Sequence, residues 1–283
     1  MKRRSHLLVI DPQNDFCDLP ARYLPGDGNA PALPVPGGHA DLLRVARIID
    51  MAGDALDAIS VTLDSHHRID IAHPAFWQDA QGAAVAPFTP VTRDDVEAGR
   101  FAPRDPQAMA RALGYLDALE KAGRYTLMVW PTHCEIGSWG HNVHADVRRA
   151  YNAWEDTTRR SVFKLLKGSN PWTEHYSAIE AEVPDAGDAA TQCNRSFIAH
   201  LAGSERVYIT GEAGSHCVKS TTEHLVDYWD QQCLAQLVLV TDCMSPVSGF
   251  EAPFLQFLDA MAERGVRLMS AQEVADELTG AAP

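Results

Sequence analysis

Residues 211–219 read GEAGSHCVK and set a cysteine between an apolar run, VYIT at 207–210, and an amphipathic stretch, STTEHLVDYW, beginning at Ser220. Such a cysteine lies where a buried strand turns sharply into a helix. There it faces unpaired backbone N–H groups and the positive end of a helix dipole, both of which lower a thiol's pKa. A cysteine needed only for packing would sit as well inside the strand. The placement marks Cys217 as a candidate nucleophile with thiolate character near neutral pH.

A nucleophile needs partners, and the partners need elements to hold them. Apolar runs at 6–11 (HLLVID), 58–64 (AISVTLD), 125–130 (YTLMVW), 206–212 (RVYITGE) and 236–242 (QLVLVTD) read as buried strands. The runs at 162–168 (VFKLLKG) and 264–270 (RGVRLMS) are weaker strand signals. Segments at 39–57, 141–160, 193–203, 220–232 and 254–265 carry apolar residues at i, i+3 and i+4, the spacing of amphipathic helices. Continuous apolar strands alternating with helices imply an α/β fold, a doubly wound and mostly parallel sheet covered on both faces. No internal repeat and no linker divides the chain, so one domain over residues 1–283 is expected. Two stretches break the rhythm. Residues 18–37 are rich in Pro and Gly and read as a long loop, and residues 74–124 read as an insertion ending in a helix, QAMARALGYLDALEKAG. Both follow strands at their C-terminal ends, the edge where open α/β sheets bind ligands.

The residues closing each run form a coherent set. The first ends in Asp11, the second in Asp64 before Ser65-His66-His67, and the third in Trp130-Pro131-Thr132-His133-Cys134. The 162–168 run ends in Lys167-Gly168, and the 206–212 run feeds the Cys217 turn. Singly, each has an ordinary reading: a capping Asp, a hydrogen-bonded His, a solvated Lys. Five such ends along one sheet edge would instead bring together a nucleophile, an acid–base group, a cation and metal-ligand types.

Composition narrows the partners. Apolar residues make up 46% of the chain and charged residues 22%, as in ordinary globular proteins. Lys and Arg number 24 against 38 Asp and Glu, for a formal net charge of −14, and beyond Lys2-Arg3-Arg4 no basic run of that length interrupts the acidic balance. Neither nucleic acid nor a membrane is an expected partner. The apolar run after MKRRS is too short for a signal-peptide core, and no segment is long enough to span a bilayer, so a cytoplasmic location is expected. Cys17, Cys134, Cys193, Cys217, Cys233 and Cys243 form no CxxC pair, which favours reduced thiols over a disulfide framework or zinc ribbon.

Five motifs run in order along nearly the whole chain: VIDPQNDFC, VTLDSHH, WPTHC, LLKGSNPWTEHYSA and GEAGSHCVKSTTEH. Together they resemble the nicotinamidase/isochorismatase-like cysteine hydrolase superfamily, and its nicotinamidase branch most. The resemblance implies the isochorismatase-like hydrolase fold and a catalytic triad of Asp11, Lys167 and Cys217. In it, Asp11 takes the thiol proton and delivers it to departing ammonia, while Lys167 holds charge in the site and keeps Asp11 oriented. The N–H groups of Ala213 and Cys217 would form the oxyanion hole, with a cis Glu212–Ala213 peptide. Asp64, His66 and His133 are implied as ligands of one divalent metal. His73 is a candidate fourth ligand, with His67 competing for that assignment. One carboxylate with imidazoles suits Zn²⁺ foremost, and Fe²⁺ or Mn²⁺ as alternatives. Phe16 and Trp130 align with aromatics that sandwich a flat ring, and Tyr176 and His216 join them as candidate substrate-binding residues.

The implied activity is hydrolysis of a small carboxamide to acid and ammonia through a cysteine thioester, nicotinamide to nicotinate foremost, as in NAD salvage. A related carbamoyl, ureide or other small-amide hydrolase is the alternative, and a catalytically silent binding relative a third reading. A small amide is the expected partner, and a homo-oligomer the expected assembly. The motifs depart from the resemblance around the pocket. DSHHRIDIAH lacks the aromatic between Asp and His and the following Pro; Glu212 replaces an apolar residue and Ser215 a frequent Asp. These changes bear on the substrate more than on the mechanism.

Overall fold

The strand β1 (Ser5–Ile10) is apolar on both faces and buried at every residue, as a central parallel strand must be. In the computed structural model, which describes residues 4–280, it lies within a six-stranded sheet in which every pairing is parallel. After β1 come α1 (Gly38–Ala52) and β2 (Ala58–Asp64). The chain then leaves the sheet through β3 (Trp77–Asp79), β4 (Thr89–Val91), α2 (Arg93–Glu97), β5 (Phe101–Pro103), α3 (Met109–Ala122) and β6 (Leu127–Val129). It returns through α4 (Ala145–Thr158), β7 (Phe163–Lys167), α5 (Arg195–Ala202), β8 (Arg206–Gly211) and α6 (Cys217–Tyr228). The last elements are β9 (Leu237–Val240), α7 (Glu251–Glu263), β10 (Arg267–Met269) and α8 (Ala271–Thr279).

The strand order is β10-β9-β8-β1-β2-β7, so the chain winds outward on one side of β1 and then lays β8 against the other. That reversal between β1 and β8 is where a doubly wound sheet opens a crevice at its C-terminal edge. The period-2 alternation of β1 explains the two cores. Leu7 and Val9 meet α1, α4 and α8 through Leu42, Val45, Trp154 and Val274. Leu8 and Ile10 belong to the opposite core, with Val218 and Leu225 of α6 and Phe254 and Phe257 of α7. Each such side chain contributes about 1.5–3 kcal/mol through burial, so the strand ends are held rigidly.

The α/β architecture read from the sequence is present, with one strand misplaced. The YTLMVW run does not enter the main sheet; β6 pairs antiparallel with β4 in a separate two-stranded ribbon. The place beside β2 is taken by β7, whose sequence reads weakly because it is an edge strand with Phe163 and Leu166 exposed. Apolar content reports burial rather than sheet membership, and Leu127, Val129 and Trp130 are buried against α3 and its neighbours instead. Residues 74–124 hold more structure than expected: besides α3, the β3–β5 ribbon, β4 and the short helix α2. Helix α8, opened by a Ser270–Glu273 capping box, also escaped the sequence reading. All six cysteines are unpaired. Among the described residues no helix is long and apolar enough to cross a membrane.

Candidate active site

At the β1–β8 reversal the two strands approach so closely that a Cβ on Gly211 would lie 1.9 Å from the Ile10 carbonyl oxygen. Only glycine fits that position, and its φ of 112° is one that other residues rarely adopt. The turn that follows is bonded on both sides: Glu212 N–H donates to the Ile10 carbonyl at 2.8 Å and Gly214 N–H to the Ser245 carbonyl at 2.7 Å. Its Glu212–Ala213 peptide is cis. The N–H groups of His216 and Val218 turn back to the Ala213 carbonyl. No hydrogen bond within the described residues engages the N–H of Ala213 or Cys217. Helix α6 begins at Cys217 itself, so the thiol stands at a helix N-terminus.

Lys167 is the hub of the site. Register pairs it with Asp64 across β2 and β7, and its ammonium lies 3.0 Å from Asp64 Oδ1 and 2.9 Å from Asp11 Oδ2. The same group donates to the His175 carbonyl at 2.9 Å and reaches Cys217 Sγ at 3.6 Å. Asp11, at a φ of 43°, receives the Thr62 hydroxyl on Oδ1 at 2.5 Å, while its Oδ2 has no well-aligned donor. Burial would discharge Lys167, but Asp11 and Asp64 hold it charged, well above the usual lysine range. Asp64 is opposed by burial yet held well below the usual carboxylate range by His66 and Lys167. Asp11 is pushed up by burial, with Lys167 pulling the other way.

Cys217 differs from the sequence expectation. Burial pushes its thiol well above the usual range, Lys167 offsets only part of that, and Asp11 and Asp64 add to the rise. The helix N-terminus is there, but a fully buried sulfur between two carboxylates is a thiol at rest, not a thiolate.

The second half of the site is a buried imidazole cluster. His66, His73 and His133 each offer a ring nitrogen within 4.8 Å of the others. Asp64 Oδ2 lies 3.1 Å from His66 Nε2 and 3.5 Å from His133 Nε2. Nδ1 of His66 meets Asp70 at 3.0 Å and Nδ1 of His133 meets the Pro131 carbonyl at 2.8 Å. Both rings are thereby fixed with Nε2 toward Asp64, the outer-shell arrangement that orients metal-binding imidazoles. Burial and its two histidine neighbours hold His73 neutral, at a pKa of about 2. His66 is opposed by burial but raised well above its usual range by Asp64 and Asp70. A carboxylate with three imidazoles therefore fits a divalent cation such as Zn²⁺ by donor type and orientation. His67 is exposed and joins neither group.

Between the two halves lies a narrow cavity of about 20 Å³, lined by Cys217 and Ala213 together with Phe16, Trp130, Tyr176 and His216. Trp130 Nε1 donates to the Tyr176 hydroxyl at 3.0 Å, which fixes both rings. The predicted residues thus converge, the off-sheet Trp130 and His133 included. Sequence reasoning missed four supports. Asp70 and Thr62 are described above. Gln13 clamps the Asp64 backbone with two 2.7 Å bonds, a signal present in the PQND that follows β1. Glu174 lines the cavity with Oε2 unpartnered, and burial pushes its carboxyl up to about 7.

A six-stranded parallel sheet flanked by helices is the α/β fold of solved isochorismatase-like hydrolases. Particular structures sharing it are nicotinamidases. The yeast nicotinamidase Pnc1p, solved with the inhibitor nicotinaldehyde, aligns with a TM-score of 0.62 at 18% identity, covering 94% of this chain and 99% of that one. A nicotinamidase/pyrazinamidase of Acinetobacter baumanii aligns at 0.59 and 17% identity over 96% of this chain and 98% of its own. The pyrazinamidase of Pyrococcus horikoshii, solved in complex with zinc, aligns at 0.53 and 19% identity over 94% and 99%. No family model and no curated protein matches the sequence.

Proposed function

We propose that the protein is a metal-containing cysteine amidohydrolase that converts a small, flat carboxamide to its acid and ammonia, with nicotinamide as the first candidate. The carrying observation is the position of the Lys167 ammonium, within 3.6 Å of Asp11, Asp64 and Cys217 at the cavity. The similarity to nicotinamidase structures supports the substrate class.

The reaction follows from the charge state of these groups. Cys217 is a thiol at rest, so attack on the amide carbon requires its proton to leave as the C–S bond forms. Asp11 Oδ2, free of a well-aligned donor, is the acceptor. The oxyanion would take the uncommitted N–H groups of Ala213 and Cys217, and one such donor is worth about 10²–10³ in rate. Asp11 then protonates the departing nitrogen, and ammonia leaves a Cys217 thioester. Water attacks this ester with Asp11 again accepting a proton, and Cys217 regains it as the acid is released. Lys167 keeps Asp11 ionised and aimed. Asp64, His66 and His133 would hold the divalent ion, with His73 as the fourth ligand. When bound, that ion supplies a Lewis-acidic site for a ring nitrogen or water beside the cavity. Phe16 and Trp130 would flank the ring, with Tyr176 and His216 completing the wall.

Ammonia release from nicotinamide by the purified protein, beside pyrazinamide, maleamate and a ureide, tests the reading. Fast release from nicotinamide is expected. Release only from another amide would keep the chemistry and move the substrate. No release from any, with the fold intact and metal bound, would overturn the assignment.

A further inference from the structure

Glu212 immediately precedes the Ala213 N–H, yet the proposed chemistry gives it no task. Its side chain is fully buried; Oε1 has no hydrogen-bond partner, and Oε2 accepts the Ser245 N–H at 3.3 Å. Oε1 lies against the first residue of α1, 3.5 Å from where a Cβ on Gly38 would stand. Asp41 of the same helix is also buried. Its Oδ2 accepts the Ser245 hydroxyl at 2.5 Å, and its Oδ1 takes Arg44 at 3.0 Å. Ser245 thus touches both carboxyls, its N–H on Glu212 and its hydroxyl on Asp41.

Around Glu212 the charged and titratable groups are Asp41, Asp18 and the thiols of Cys17 and Cys243. Arg44, the nearby cation, is engaged at the other oxygen of Asp41. The N-terminus of α1 favours an anion, but Asp18 already takes the N–H groups of Gly37 and His39. Burying a second carboxylate beside Asp41 without a counter-ion is unfavourable, so the neutral form wins. Burial and then the Asp41 charge push the Glu212 carboxyl well above its usual range.

We propose that Glu212 stands as a neutral carboxylic acid donating its hydrogen to Asp41, and that this pair positions the Ala213 N–H for the reaction. The positioning half rests on the amidohydrolase reading; the protonation half does not. Ser245 is the link. Its N–H goes to Glu212, its hydroxyl to Asp41, and its carbonyl receives Gly214 N–H at 2.7 Å, so both neighbours of Ala213 are tied to one residue. The fit is close: a Cβ on Gly37 would meet Ser245 Oγ at 2.7 Å. When Glu212 loses its proton, two carboxylates face each other across Ser245 and the turn loses its anchor. Turnover then declines on the alkaline side.

Infrared difference spectra between wild type and Glu212→Gln, with pH-dependent kinetics, test this. Wild type at neutral pH is expected to show the C=O stretch of a protonated carboxylic acid that the variant lacks. Asp41→Asn, which removes the like charge, is expected to move the titration of that band to lower pH. Glu212→Ala should lower kcat about tenfold at nearly unchanged KM, and Glu212→Gln should restore it to within about threefold and lose activity at higher pH than wild type. Absence of the band, or a Gln variant no better than Ala, would overturn the proposal. Should wild type hydrolyse no amide, the hydrolase reading fails, and the band with its Asp41→Asn shift still decides the pair.

Discussion

Asp11, Asp64 and Lys167 stand at the ends of β1, β2 and β7, and Cys217 opens α6, whereas His73, His133, Trp130 and Tyr176 stand on connections outside the sheet. The first group inherits its geometry from ladder register and from the two cores beneath it. Asp64 and Lys167 face each other because their strands pair residue for residue. The second group, with His66, is placed by side-chain hydrogen bonds instead: His133 to the Pro131 carbonyl, His66 to Asp70, Trp130 to the Tyr176 hydroxyl. The proposed bond-breaking residues and the metal ligand Asp64 thus sit on the rigid half, and the ring-recognition residues with the imidazole ligands on the half that loops can vary. The division explains how one fold keeps a reaction while its substrate changes.

Breaking the rigid half should cost most. Lys167→Met leaves Asp11 and Asp64 facing each other without a cation, so the variant is expected to lose about 3–5 kcal/mol in denaturant unfolding along with nearly all turnover. A stable, active Lys167→Met protein would show that the ion pair is incidental.

Acid should loosen the contact between α1 and the start of α4 first. His144 caps α4, its Nε2 lies 2.9 Å from His39 Nδ1, and burial followed by the His39 charge lowers its pKa to about 4. The unfolded chain takes this proton near pH 6.5, so the contribution is complete above that pH and is lost as pH falls toward 4. The loss is at most about 3 kcal/mol, and His144→Gln should flatten the stability-against-pH slope in that window. An unchanged slope would place the acid sensitivity elsewhere.

Smaller effects sharpen the contrast. Asp70→Asn touches only the imidazole cluster and should weaken zinc binding about 10–100-fold by competitive chelation, with fold stability little changed. Equal zinc affinity would remove Asp70 as the group orienting His66. Trp130→Phe keeps the ring and deletes its bond to Tyr176, so KM for a flat amide should rise roughly fivefold at similar kcat. A drop in kcat alone would place Trp130 in the chemistry instead of the wall.

The same division governs what could be read from the sequence. Strand-end residues announce themselves because an apolar run points at them, and Asp11, Asp64 and the Cys217 turn were visible on that ground. Lys167 lay on β7, a largely exposed edge strand, and needed its motif to stand out. The loop-borne residues had no periodicity to mark them: His133 was reached through a run that is not in the main sheet, and Asp70, Gln13 and Glu174 went unnoticed. Their significance lies in contacts across 51 residues, as for Gln13 and Asp64, or at buried orphan atoms, as for Glu174, and a linear pattern encodes neither. The Cys217 pKa failed for a related reason. A helix N-terminus is local and legible, while full burial between two carboxylates is not.

The central claim is that the sheet-borne cysteine, not a water on the imidazole side, attacks the amide. Nicotinamide turnover in the presence of hydroxylamine tests it most directly, with nicotinate, hydroxamate and ammonia each quantified for wild type and Cys217→Ala. A thioester on Cys217 predicts hydroxamate formed at the expense of nicotinate in wild type, and no ammonia, acid or hydroxamate from the folded variant. Nicotinate alone from wild type, with ammonia release surviving in Cys217→Ala, would contradict it and move the chemistry to the other half of the site.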